Sequence, residues 1–67
     1  MKDWEWSHYD SGSQKWYGWS DMDDQVPSTR AQVRERADVT VILETDDTFI
    51  FRCDTVHTFT VLIWRRK

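Results

Sequence analysis

The stretch that decides the fold is residues 39–64, which read VTVILETDDTFIFRCDTVHTFTVLIW. Its β-branched and aromatic residues alternate with polar ones, and two short polar segments, Asp46-Asp47 and Asp54-Thr55, interrupt the alternation. A period of two is typical of strands, and Asp favours turns because its side chain hydrogen-bonds its own backbone. The stretch therefore predicts three antiparallel strands, at 39–44, 48–53 and 57–64.

The lengths of the two turns decide which residues share a face of the sheet. A two-residue turn at 46–47 would set Glu44 beside Phe49 and mix polar with apolar residues on both faces, so the pattern favours odd-length loops. The core predicted on this basis is Val39, Val41, Leu43, Phe49, Phe51, Cys53, His57, Phe59, Val61 and Ile63. The other face is too apolar for ordinary solvated surface, and we expect something to cover its apolar members, Ile42, Ile50, Leu62 and Trp64.

The first nineteen residues predict a hairpin. Strands at 4–9 and 14–19 flank the turn residues Asp10-Ser11-Gly12-Ser13. If these four residues form the loop, Trp4 lies opposite Trp19 and Trp6 opposite Tyr17. Those four rings would share one face, leaving Trp16 on the other.

The middle of the chain has two interpretations. Residues 20–29 form an acidic connection with one proline, after which Thr29 and Gln32 match a capping box and predict a short helix at 29–36. Alternation at Ala31, Val33 and Ala37 equally predicts one long strand from 31 to 44, and this second interpretation is slightly favoured. Residues 1–67 are thus expected to form a single mainly β domain, a small five-stranded antiparallel sheet, sandwich or open barrel, with the helix at 29–36 as the alternative.

Size and charge restrict the classes of function. The chain has 67 residues, a net charge of −3 and one cysteine, so it cannot close an internal disulfide. Residues 1–29 carry a charge of −4 and residues 30–67 a charge of +1. An acidic front end disfavours free nucleic acid and weakly favours a basic protein partner. No segment is apolar enough to be a signal peptide or a membrane span, and together with the single thiol this predicts a cytoplasmic protein.

Catalytic and metal-binding groups are weakly indicated. The predicted three-residue loop would set Cys53 across from His57, but the pair lies at the edge of an apolar face and has no third group to orient it. The acidic run Asp21-Met22-Asp23-Asp24 lacks the glycine and the distal glutamate of a calcium loop. We therefore expect no enzyme activity, no metal and no cofactor.

Basic side chains offer an alternative function. On one surface beside exposed rings, they would suit single-stranded nucleic acid, as in small barrels of that type. The residues concerned are Arg30, Arg34, Arg36, Arg52, Arg65, Arg66 and Lys67. The acidic net charge and the lack of a recognisable nucleic-acid motif make this alternative the weaker one.

Five tryptophans are the least ordinary feature of the composition. So short a chain is not expected to bury all of them, and Trp is enriched at binding hot spots. The sequence therefore predicts a stand-alone protein-interaction module, of a size and charge common among phage-encoded inhibitors, with a self-assembling structural protein or homodimer as a further alternative. The expected partner-binding residues are Trp16, Trp64, Asp21, Asp23, Asp24, Ile42, Ile50 and Leu62.

Overall fold

The computed structural model of the chain describes residues 3–22 and 26–67. These residues form five strands and one helix. In chain order the elements are β1 (Trp4–Asp10), β2 (Lys15–Met22), α1 (Val26–Arg34), β3 (Val39–Glu44), β4 (Thr48–Asp54) and β5 (Phe59–Arg66). The mainly β class and the five antiparallel strands predicted from the sequence are confirmed.

One open sheet contains all five strands in the order β2-β1-β5-β4-β3. The first and last strands of the chain lie side by side at its centre, and β2 and β3 form its two edges. Helix α1 connects these edge strands, so the chain crosses one face of the sheet between them. We call the face under α1 the helix face and the opposite one the open face.

The segment after residue 25 is helical, so the favoured long strand from 31 to 44 is wrong. The helix begins before the predicted Thr29 and ends at Arg34, two residues short of the predicted end. Its position is explained by Arg30 and Val33, which lie three residues apart on one side of the helix and turn towards the sheet. Ala31 and Ala37, which suggested a strand, are exposed.

Among the residues whose burial the structure describes, five form the buried apolar core, and all belong to the helix face or to α1: Trp4, Val33, Phe49, Phe51 and Trp64. The rings of Phe49 and Phe51 lie 4.9 Å apart, and Trp64 meets Phe49 at 5.6 Å and Phe51 at 5.0 Å in edge-to-face geometry. Such contacts add to the free energy gained from burying the rings. The core is therefore a compact aromatic cluster at one end of the sheet.

The turn between β4 and β5 places the opposite set of β5 residues on the core face from the set that was predicted. Its loop is Val56-His57, closed by Thr55 and Thr58: the N–H of Thr55 donates to the carbonyl of Thr58, and the N–H of Thr58 donates to the Thr55 hydroxyl. Trp64 consequently pairs with Phe49 and Leu62 with Phe51. The predicted core members His57, Phe59, Val61 and Ile63 are wrong, since His57 lies in the turn and the others lie on the open face.

A bulge in β3 reconciles a two-residue turn with an apolar face. The two-residue loop Asp46-Asp47, which the sequence pattern disfavoured, sets Glu44 opposite Phe49. The pairing then shifts by one residue between Val41 and Leu43. Val41 therefore still faces Phe51, and Val39 still faces Cys53. The predicted placement of Val39, Val41, Phe49, Phe51 and Cys53 on one face is confirmed, but Val41 is 38% exposed and not part of the buried core. Leu43 pairs with Ile50 and joins the open face.

The first hairpin has a different register from the predicted one. Its loop is 11–14, and Trp4 and Trp6 pair with Met22 and Ser20 instead of Trp19 and Tyr17. A second bulge, at the level of Gly18, changes the phase of β2. As a result Trp16 and Trp19 both lie on the open face, one packed against Tyr9 and the other under Arg65.

Gln14 ends the first turn with a φ of 55°, in the left-handed region. A residue with a side chain is strained at this φ by about 1–2 kcal/mol. Replacing it by glycine recovers only part of this energy, because glycine also increases the conformational entropy of the unfolded chain. We expect Gln14→Gly to raise the free energy of unfolding by about 0.5–1 kcal/mol. Thermal melts of the two proteins would show it, and Gln14→Ala, which keeps a Cβ, should not be stabilised. Equal gains in both variants would contradict the backbone explanation.

Candidate open-face binding site

Large hydrophobic side chains that remain exposed are concentrated on the two edge strands. Those of β2 are Trp16, Tyr17 and Trp19, and those of β3 are Val41, Ile42 and Leu43. One more within the described part of the chain, Val56, lies in the β4–β5 turn. The expectation that some indole surface stays accessible is confirmed for Trp16, which is 57% exposed, and for Trp19, which is 42% exposed.

Apolar residues of all five strands meet on the open face. Alternation along each strand and the observed registers place them together there. From the β2 edge to the β3 edge they are Trp16, Trp19, Tyr9, Phe59, Val61, Ile63, Ile50 and Leu43. The helix packs on the opposite face, so these side chains have no second layer among the described residues.

A row of rings crosses the open face from β2 to β5. The Trp16 and Tyr9 rings lie 5.2 Å apart, and the Tyr9 and Phe59 rings 6.2 Å apart. The guanidinium of Arg52 lies 3.9 Å above the Phe59 ring and donates from Nε to Asp54 Oδ1 at 2.7 Å. This cation is held by a ring and a carboxylate together.

Trp19 is also stacked with an arginine that a carboxylate holds in place. The Arg65 guanidinium lies 3.6 Å from the centre of its ring, and Nε of Arg65 donates to Glu5 Oε2 at 2.7 Å. An arginine stacked on an indole restricts the rotamers of both side chains. The indole is thereby oriented before any partner arrives, which lowers the entropy lost on binding.

The structure brings together only part of the partner-binding set expected from the sequence. Trp16 and Ile50 lie on the open face, and Ile42, the extra residue of the β3 bulge, is exposed. The prediction of Trp64 as an exposed anchor is wrong, because the two-residue turn before β5 sends it into the core. Leu62 lies beside Phe51 on the helix face and packs against the same core.

Of the three expected acidic residues, Asp21 is ion-paired with Lys67, and Asp23 and Asp24 lie outside the described residues. Other open-face residues were not among the partner-binding residues expected from the sequence. These are Trp19, Tyr9, Phe59, Ile63 and Arg65, of which Arg65 was considered only for nucleic acid. Gly18 could have indicated that Trp19 lies on this face, since a glycine inside a strand often marks a bulge and a change of face.

The seven basic residues considered for nucleic acid do not form a stripe. Each is ion-paired: Arg30 and Arg34 with Glu44, Arg36 with Asp38, Arg52 with Asp54, Arg65 with Glu5, Arg66 with Asp47 and Lys67 with Asp21. They are also divided between surfaces. Arg30, Arg34 and Arg66 line a cleft of about 470 Å³ beside Trp4, Glu44 and Asp46, while Arg52 and Arg65 lie on the open face.

Cys53 and His57 do not face each other. Cys53 pairs with Thr60 and Val39, and His57 lies in the turn beyond. Burial raises the pKa of the Cys53 thiol above its ordinary value; Arg36 opposes this shift, and Asp38 and Asp54 add to it. A raised pKa lowers the thiolate fraction at neutral pH, which disfavours a nucleophilic role. Within the described parts of the chain, no three His, Cys, Asp or Glu side chains are placed to hold a metal ion.

Comparison of the chain with protein-family models, with curated proteins and with solved structures finds no match in any of the three. In residues 3–22 and 26–67, no helix has the length and apolar character that a bilayer span requires.

Proposed function

We propose that this protein is an interaction module that binds another protein through the open face, with Trp16 and Trp19 as anchors. One observation carries the proposal: two accessible indoles project from an apolar sheet face that has no covering layer among the described residues. Rings in pre-set orientations provide a large contact area with little further loss of entropy, as binding hot spots require.

The dimensions of the molecule suit such an interface. Its principal extents are 36 × 26 × 16 Å, so its broad side is large enough for the ~800 Å² that each partner contributes to a standard protein interface. The two arginines on this side are matched by Glu5 and Asp54. The partner surface we propose is accordingly an apolar patch with a mixed polar rim, on a folded protein. The net charge of −3 adds a weak preference for a basic partner.

Single-stranded nucleic acid remains the weaker alternative. Its supporting feature is Arg52 and Arg65 beside rings on one face. Affinity for nucleic acid, however, comes largely from cations that replace counterions along the phosphates. Cations already paired with carboxylates would have to exchange those partners, which weakens that gain.

The module would inhibit the bound protein if it covers a surface that the bound protein needs for its own activity. The single thiol, Cys53, suits a reducing compartment, so we propose that the partner is cytoplasmic.

The test compares three immobilised proteins in nuclease-treated host lysate: the parent, the double variant Trp16→Ala/Trp19→Ala, and Val56→Ala. Val56 is 90% exposed in a turn and serves as the matched control for loss of apolar surface. We expect one protein to be retained by the parent and by Val56→Ala. After its purification, the double variant should bind it at least tenfold more weakly, since a hot-spot residue contributes more than about 1 kcal/mol.

A folded double variant that binds every such protein as tightly as the parent does would refute the proposal. Retention of the parent on single-stranded DNA or RNA that falls steeply from low to moderate salt would favour the nucleic-acid alternative instead.

A further inference from the structure

Strand β3 is an outer strand with unusually little protection. Its sequence, Val39-Thr40-Val41-Ile42-Leu43-Glu44, contains no lysine, arginine or proline, and its three central residues are all exposed. Ile42 is the most exposed of them at 57%. Outer strands of soluble proteins are commonly guarded by such charges or prolines, because their free N–H and C=O groups accept another strand. An apolar outer strand without these guards is suited to pairing.

From this edge we propose that β3 pairs antiparallel with β3 of a second copy of the chain, about a two-fold axis, to give a continuous ten-stranded sheet. Pairing of this type supplies main-chain hydrogen bonds along the strand and places the exposed Val41, Ile42 and Leu43 against their counterparts. The inference concerns a different edge from the indole anchors and does not depend on the proposed function.

Each end of β3 has a carboxylate that is paired with arginine. Glu44 at the end of the strand is paired with Arg30 and Arg34, and just before its start Asp38 accepts from Arg36 at 2.7 Å. An antiparallel two-fold pair brings the Glu44 end of one copy next to the Asp38 end of the other. Both carboxylates are already paired with arginine within their own copy, which limits like-charge repulsion across the contact.

The other edge is better guarded, which favours β3 over β2. Strand β2 begins with Lys15, has its bulge in mid-strand at Gly18, and carries the Asp21–Lys67 ion pair near its end. The β3 bulge also deviates from regular pairing, but it does so by adding an exposed isoleucine instead of a charge. Lys15 lies within β2 itself, whereas 39–44 contains no cation, so β2 is the better guarded edge.

A β3–β3 dimer would leave the indole anchors free. β2 is the opposite edge of the sheet, four strands away, so Trp16 and Trp19 would lie at the two far ends of the assembly. A six-residue strand spans only about 20 Å, and the interface would fall in the small, weak class. We therefore expect a dimer that forms with rising concentration.

Sedimentation equilibrium of the full chain over about 5 to 500 μM tests this arrangement, a range chosen for a weak interface. The parent should shift from 8.1 kDa towards twice that mass. Ile42→Lys should dimerise at least tenfold more weakly, whereas Val56→Lys, the same change at an exposed turn residue, should behave as the parent. Ile42→Thr, which keeps a β-branched residue, should show an intermediate effect and provides a second variant if the lysine variant fails to fold.

Hydrogen exchange identifies the edge that pairs. In the parent, the amides of 39–44 should gain protection with concentration, and those of 15–22 should not. A parent that stays at 8.1 kDa throughout, or equal weakening by Ile42→Lys and Val56→Lys, would overturn the inference. So would a dimer abolished by Trp16→Ala/Trp19→Ala, since that result would place the contact on the open face or at β2.

Discussion

Trp64→Ala is expected to remove a large part of the free energy of unfolding at 25 °C. Trp64 is 7% exposed and meets Phe49 and Phe51 edge to face at the centre of the core. Truncation of a buried tryptophan to alanine costs about 3–5 kcal/mol through lost burial and the cavity left behind. A domain of this length has a total stability of only about 3–10 kcal/mol. Urea unfolding followed by far-UV circular dichroism would show a midpoint far below that of the parent.

Trp16→Ala is the matched control, because it removes the same side chain from an exposed position. Trp16 contacts Tyr9 but lies mostly in solvent, so its loss should change the free energy of unfolding by no more than about 1 kcal/mol. Similar midpoints for the two variants would mean that the helix face is not the core of the molecule.

The positions of the strands could be predicted from the sequence because local chemistry determines them. Each predicted strand overlaps an observed one, and every predicted turn overlaps or adjoins the observed turn. Asp, Gly and Thr interrupt runs of β-branched and aromatic residues, and such interruptions act over a few residues. Long-range packing was not needed to locate these elements.

Register could not be predicted because both faces of β5 are apolar. Phe59, Val61 and Ile63 form one side of the strand, and Leu62 and Trp64 form the other, so alternation gives no preference for either phase. The phase is determined by the turn Thr55-Val56-His57-Thr58, in which threonine hydroxyls stabilise a two-residue loop. Odd-length loops were preferred because they keep the apolar residues of neighbouring strands on one face. The β3 bulge does the same for Val39 and Val41 by shifting the pairing by one residue.

The helix shows where periodicity misleads. Ala31 and Ala37 are small enough to be tolerated in a strand, in a helix or at the surface, so their spacing carried little information. The capping-box residues Thr29 and Gln32 predicted a helix but misplaced its start, because α1 begins before them, with Pro27 in a first turn where no N–H is needed. Tertiary contacts of Arg30 and Val33 with the sheet then hold the helix in place.

The sequence predicted that the candidate site contains accessible tryptophan, but it did not identify every residue of the site. The number of tryptophans was enough to predict accessible indole surface, and Trp16 was correctly predicted to be exposed. The identity of the second exposed tryptophan depends on the Gly18 bulge and on the turn before β5. Those two features bring Trp19 to the open face and take Trp64 away from it. Residue types thus predicted the chemistry of the surface, while register selected the residues.

Arg30→Ala is expected to lower the free energy of unfolding by about 2 kcal/mol, within the range for hydrogen bonds to charged groups and desolvated cation–π contacts. The Arg30 side chain is 11% exposed, and its two terminal nitrogens donate to the carbonyls of Thr45 and Asp46 at 2.7 and 3.2 Å. Its guanidinium also lies 4.7 Å from the Trp4 ring and 5.8 Å from the Phe49 ring. One side chain therefore connects α1, the β3–β4 turn and the core, and urea melts would measure its contribution.

Arg36→Ala is the matched control for Arg30→Ala, because Arg36 is also ion-paired but lies in solvent. An exposed pair contributes about 0–1 kcal/mol, so this variant should unfold close to the parent. Arg30→Met adds a second comparison. The Nε of Arg30 is buried, and no hydrogen-bond partner for it lies in the described part of the chain, so an apolar chain of similar length removes an unsatisfied donor while keeping contact with Trp4. Its loss of stability should fall between those of Arg36→Ala and Arg30→Ala, and equal midpoints for the two alanine variants would show that Arg30 does not join the helix to the sheet.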